Sequence, residues 1–117
     1  MITLALELAL NEFQDDCHDT AQDKGWWDEP RSDGECIALM HSELSEALEW
    51  ARKGNPLDDK VPGYTGIEAE LADTIIRILD FAAARDLDVI GAMLVKAFRL
   101  QASSYKGRPH KHGGKRF

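Results

Sequence analysis

The sequence predicts an all-α fold, a four-helix antiparallel array with short connections. Three observations carry that prediction. Apolar residues recur at spacings of three and four in four separate stretches. Ser32-x-x-Glu35 and Thr65-x-x-Glu68 stand where two of those stretches begin, in the form of helix capping boxes. No segment carries the two-residue alternation of a strand, and no repeat of solenoid length is present.

The first helix is predicted over roughly Thr3 to Asp23, where Leu6, Leu10, Phe13 and Cys17 form an apolar stripe. Gly25 ends it, and Trp26-Trp27-Asp28-Glu29-Pro30 reads as a connecting loop. The second helix starts near Asp33, with Ile37, Met40, Leu44, Leu48 and Ala51 as its main stripe. Gly54 is its stop signal, and Arg52 and Lys53 suit the negative end of the helix dipole. Residues 55–63 contain two prolines and read as loop. The third helix opens on Thr65-Gly66-Ile67-Glu68 and carries Ile67, Leu71, Ile75, Ile78 and Ala82. Asp88 is the expected N-cap of the fourth helix, which carries Val89, Met93, Ala97 and Leu100 and fades near Ser104.

Length and composition bound the rest. At 117 residues the chain suits one domain with a real but modest core, which makes oligomerisation attractive. The expected organisation is one helical domain over 1–104 and a basic tail over 105–117. No apolar run is long enough to span a membrane, and the N-terminus lacks the basic start of a signal peptide, so a cytoplasmic location is expected. Cys17 and Cys36 are too few and too unpatterned for a disulfide framework or a zinc site, and read as small buried apolar residues. Net charge is −7, which argues against non-specific nucleic-acid binding. The charge is uneven: all 21 acids lie at or before Asp88, and seven of the 14 Lys and Arg residues follow it. An acid-free basic end points to an anionic target.

Two acid pairs carry the chemistry. Glu43-Leu44-Ser45-Glu46 and Glu70-Leu71-Ala72-Asp73 each place two carboxylates three apart on a predicted helix. Such side chains share a face and repel unless something neutralises them. The spacing alone decides little, since Glu12 and Asp15, and Asp16 and Asp19, also show it. The context adds more. Leu39, Glu43, Glu46 and Trp50 form a second stripe on the second helix, and Glu70, Asp73, Arg77 and Phe81 form one on the third. Each acid pair thus shares its face with an aromatic residue, the pattern of a polar pocket with apolar walls. With no His or Cys spaced to join them, a carboxylate set favours Mg²⁺, with Mn²⁺ as substitute, over Zn²⁺. A di-iron site would need Glu-x-x-His, which the chain lacks.

Glu-x-x-Glu, a spacer and Glu-x-x-Asp on the two middle helices, with their flanks ALMHSELSEALEW and ELADTIIR, resemble the MazG-like nucleoside triphosphate pyrophosphohydrolases. That superfamily also holds the all-α dUTPases and the phosphoribosyl-ATP pyrophosphatases. The resemblance spans roughly Trp26 to Tyr105. It implies that Glu43, Glu46, Glu70 and Asp73 bind Mg²⁺, with one of Glu43 and Glu46 positioning or deprotonating the attacking water. The implied reaction cleaves a standard or modified nucleoside triphosphate between its α and β phosphates, giving a monophosphate and pyrophosphate. It further implies a homodimer or homotetramer with sites at subunit interfaces, so that the second stripe would meet a partner surface. The alternatives are a dUTPase-like or phosphoribosyl-ATP-directed enzyme, and a non-catalytic helical interaction module docking a basic partner.

Several residues are candidates for substrate contact. Trp50 is placed to stack on a base or to serve as a core or interface aromatic. Of Trp26 and Trp27, one is expected to pack on the helices and the other to line a base pocket, with Lys24 beside them. Arg77 is expected to touch phosphate or base, or to offset the acids. Asp80 is either an accessory ligand or the partner of Arg77, and His41 points away from the acids. In the tail, Gly113-Gly114 lets backbone approach phosphate, and Arg108, Lys111 and Lys115 supply charge to fold over a triphosphate or else form a disordered basic end.

Overall fold

The computed structural model describes residues 4–99. They form α1 (Leu4–Asp23), α2 (Asp33–Arg52), α3 (Gly66–Ala84) and α4 (Val89–Leu94), the last continued by a π-helical turn over Val95–Arg99. Among the described residues there is no strand; an antiparallel bridge joins Leu57 to Thr65 in the loop before α3. The all-α class and four helices are as the sequence predicts. The fourth differs in detail: it is regular for six residues before its ladder widens to the π form. Its expected end near Ser104 and the whole 105–117 tail lie outside the described residues.

The caps explain why the helices start where they do. Ser32 accepts a hydrogen bond from the Glu35 amide at 3.1 Å, but the Glu35 carboxylate turns to Arg31 at 2.7 Å, so only half of that box forms. At Thr65 both halves form. Its hydroxyl accepts from the Glu68 amide at 3.2 Å, and Glu68 accepts from the Thr65 amide at 2.9 Å. Those bonds from Thr65 hold the Glu68 carboxyl below its ordinary range. Asp88 caps α4 by accepting from the Gly91 amide at 2.9 Å. Gly25 and Gly54 take φ values of 83° and 82° just past α1 and α2, a left-handed turn that glycine adopts without steric cost.

Contacts divide the chain into two compact units. One is Glu12–Leu87, which holds most of α1 with α2 and α3. The other joins Met1–Asn11 to Asp88–Phe117, of which 4–11 and 88–99 are described. In it Ile90 and Leu94 are buried.

Within the larger unit α2 and α3 form an antiparallel hairpin. Trp50 bonds Glu70 and Glu43 bonds Arg77, so the paired positions run in opposite sequence order. Asn55 closes the hairpin's base: its side-chain carbonyl accepts from the Ile67 amide at 2.9 Å. Gly66 is buried against the Trp50 ring, and a methyl group there would overlap the ring itself. Gly66→Ala is therefore expected to displace Trp50 and break its bond to Glu70. The cost should be about 1–3 kcal/mol, seen as a lower melting temperature together with a red-shifted tryptophan emission.

The second stripes meet across the hairpin in part: Trp50 pairs with Glu70 and Glu43 with Arg77 beside buried Cys36, Ala47 and Thr74, while Glu46 and Asp73 stay exposed. The main apolar stripes are the ones left open: Ile37, Leu44 and Leu48 on α2 and Leu71 and Ile75 on α3 are all exposed. This rotation of α2 and α3 buries Glu43 beside Arg77, which satisfies both groups. Helical geometry then puts both open stripes on the same side of the pair, away from Asp73 and Asp80.

Candidate functional site

Glu43 and Glu46 stand one turn apart on α2, and Glu70 faces them from α3. One carboxylate oxygen from each lies within 4.8 Å of the other two, a set able to coordinate a metal ion. Their surroundings differ. The Glu43 side chain is only 12% exposed and is held by the Arg77 Nε at 2.8 Å. Glu46 is exposed. Glu70 is half-buried and accepts from the Trp50 Nε1 at 3.2 Å.

Crowded carboxylates leave a mark on Glu70. Burial raises its carboxyl from the ordinary 4.5 to about 7, against the lowering effect of the Trp50 hydrogen bond, and the negative Glu46 and Glu43 push it the same way. Near pH 7 the Glu70 carboxyl of the metal-free cluster is therefore about half protonated. A bound cation would favour the charged form against that burial, so metal binding and proton release are coupled here.

Beside the cluster lies a cavity of about 450 Å³, reached by Glu43, Asp73 and Arg77. Its size suits a small organic ligand. Phe13, Cys17, Ala21, Trp26 and Ile76 supply apolar wall. Burial pushes the Cys17 thiol up, with Asp80 and Asp16 adding to it, so the group is a neutral wall atom and not a nucleophile.

The other candidate residues are distributed as follows. Asp73 is exposed and lines the cavity, but it does not join the three-glutamate set. Arg77 is bonded to Glu43 and so offsets the acids. Trp26 lines the cavity with two guanidinium groups over its ring, Arg31 at 3.8 Å and Arg77 at 4.7 Å from the centroid. A base stacking on that ring would compete with them. Trp27 packs inward, as one of the two was expected to: its Nε1 donates to Asp80 at 2.9 Å and its ring meets His18 edge-on. Trp50 is outside the cavity wall, where it positions Glu70, and Lys53 lies 5.5 Å above its ring. Arg108, Lys111 and Lys115 lie outside the described residues.

Two features were not read from the sequence. Asp80 neither joins the cluster nor pairs with Arg77. It is buried and bonds both Trp27 Nε1 and His18 Nδ1, the latter at 2.8 Å, which ties α1 and the following loop to α3. The second is the cavity face of α1, where Phe13, Asp16, Cys17, Thr20 and Ala21 repeat at helical spacing, with Lys24 directly past the helix end. The available signal was that period, with polar and apolar positions interleaved on one stripe.

Comparison with models of protein families, with curated proteins and with solved structures finds no match for this chain. What the site can do therefore has to come from its own chemistry. Three carboxylate oxygens favour a hard cation over a soft one. The adjoining cavity has room for a small organic ligand.

Proposed function

We propose that this chain is a Mg²⁺-dependent nucleoside triphosphate pyrophosphohydrolase, converting a standard or modified nucleoside triphosphate to its monophosphate and pyrophosphate. The observation that carries this reading is the convergence of Glu43, Glu46 and Glu70, with Glu43 also lining a cavity large enough for a nucleoside. The donor set fits the metal. Octahedral Mg²⁺ holds oxygens at about 2.1 Å, so its ligands sit roughly 3–4.2 Å apart, within a small side-chain adjustment of the spacing here. When bound, Mg²⁺ supplies charge to screen the phosphates and lowers the pKa of a coordinated water.

The chain's own groups divide the remaining work. Arg77 fixes Glu43, so that carboxylate is a rigid anchor. Glu46 is exposed and has no cationic partner among the described residues, which suits it to accept a proton from an attacking water. Asp73 stands at the cavity wall one turn from Glu70, placed to serve a second cation or the phosphates' outer shell. Lys24 and Arg77 bring positive charge to the same cavity, which favours the charge that develops on departing pyrophosphate. Trp26, Phe13 and Ile76 offer apolar surface to the nucleoside end.

The reading includes a homodimer or homotetramer of the all-α pyrophosphatase type. The open apolar side of the α2–α3 hairpin supports it, since a monomer rarely leaves a continuous apolar stripe to water.

A panel of nucleotides with Mg²⁺, read by release of pyrophosphate, tests the activity. Pyrophosphate from at least one nucleotide is expected, and none from any of them, with the protein folded, overturns the proposal.

A further inference from the structure

Apart from the charge of Lys24 and the apolar wall of Phe13, the cavity face of α1 takes no part in the chemistry proposed at the glutamate cluster. It carries Asp16 and Thr20, with Lys24 directly past the helix end, at successive i, i+4 positions, about 6 Å apart along the axis. Phe13, Cys17 and Ala21 fill the same face between them. The cavity's other charged groups are largely committed: Arg77 to Glu43, and Asp80 to His18 and Trp27. The side chains of Asp16, Thr20 and Lys24 form no hydrogen bond or ion pair with another described residue, yet all three line the cavity. An acceptor, a hydroxyl and a cation, set in order along an apolar wall, can read the polar edge of a flat ligand.

We propose that Asp16 is a specificity-determining residue that selects nucleobases with an exocyclic amino group and disfavours uracil and thymine. This rests on the nucleotide reading above and deepens it. An ionised carboxylate only accepts hydrogen bonds. Guanine offers it two adjacent donors, N1–H and the 2-amino group, and cytosine and adenine offer one amino group each. Uracil and thymine offer only N3–H, flanked on both sides by carbonyl oxygens whose lone pairs face the carboxylate. Thr20, one turn along, donates or accepts and so matches the next group on whichever base edge is presented. Lys24, a further turn along, donates to a base carbonyl, a sugar hydroxyl or a phosphate. A site built to hydrogen-bond one base edge rejects an edge that leaves its polar groups unpaired.

The test compares kcat/KM for GTP, CTP and ATP with UTP and TTP, and for GTP with ITP, which lacks the 2-amino group. Wild type and Asp16→Asn are measured alongside nucleotide affinity by calorimetry. The wild type is expected to favour at least one amino-bearing nucleotide over UTP and TTP by about 10-fold or more, and GTP over ITP if guanine is that base. Asp16→Asn, whose amide both donates and accepts, is expected to bring the preference within about 3-fold, chiefly through KM. Asp16 is exposed on its helix, so an unchanged melting temperature should accompany that loss. Hydrolysis of UTP or TTP as fast as the others, or a preference that survives Asp16→Asn, overturns the inference and leaves the hydrolytic reading standing. Binding with the expected preference but no hydrolysis overturns the hydrolytic reading and supports this one. Absence of both hydrolysis and binding overturns both.

Discussion

Glu70→Gln is expected to stabilise the metal-free protein above neutral pH while removing its affinity for Mg²⁺. Folding raises the Glu70 carboxyl from 4.5 to about 7, mainly by burial and then by the neighbouring Glu46 and Glu43 charges. The folded protein therefore binds this proton more tightly than the unfolded chain does. Between about pH 4.5 and 7 the folded state holds more protons, so stability falls as pH rises through that window and stays reduced above it. The amide of the variant would carry no charge to bury and would keep an oxygen for the Trp50 Nε1. The gain at pH 8 should be about 1 kcal/mol once solvent screening is allowed for, or roughly 4 °C in Tm. At pH 4, where the wild-type carboxyl is protonated, the two proteins should melt together. Mg²⁺ should raise the wild-type Tm at pH 8, lose that effect in acid, and bind the variant at least about 10-fold more weakly. Melts at the two pH values with and without Mg²⁺, plus calorimetric titration of the ion, read all of these. A variant less stable than wild type at pH 8 would mean that the carboxylates do not oppose one another in the fold. Unchanged Mg²⁺ affinity would remove Glu70 from the metal site.

The second large effect concerns the open side of the hairpin. Leu44→Asp with Ile75→Asp is expected to turn an oligomer into a folded monomer. In the monomer the wild-type residues are 45% and 55% exposed, so a carboxylate in either place keeps access to water. In an oligomer they would be buried, and each apolar side chain would contribute about 1–2 kcal/mol to association. Losing both and burying two carboxylates instead should weaken assembly by at least about 100-fold. Light scattering across a concentration series reads the mass, and circular dichroism confirms that the helices persist. A wild-type protein that is monomeric at high concentration would overturn the assembly.

Much of the local structure was legible in the residues. Ser32, Thr65 and Asp88 accept the amide bonds that their spacing promised, and Gly25 and Gly54 follow the helices they end. These are short-range effects, set by side chains three or four residues away, so one stretch of sequence contains them in full. The acid pairs were legible for the same reason, and three of the four acids do converge.

The facing of the helices was not legible. α2 and α3 each carry two stripes, and periodicity says which residues share a face without saying what that face meets. The longer apolar stripe looked like the core, yet Leu44, Leu48 and Ile75 are open while Glu43, Arg77 and Trp50 pack inward. Asp80 shows the same limit. Its partners, His18 and Trp27, are 62 and 53 residues away, and nothing near Asp80 in the chain announces them.

The sequence by itself determined the helices, their ends and the pairing of acids on common faces, because hydrogen bonds along one helix enforce those relations. Tertiary structure decided that Glu43, Glu46 and Glu70 meet while Asp73 turns to the cavity wall, and that α1 supplies a face to that cavity. A helix can rotate about its axis without breaking one internal hydrogen bond. Only packing chooses the rotation, and here the chosen one joins Trp50 to Glu70 and Glu43 to Arg77 between α2 and α3.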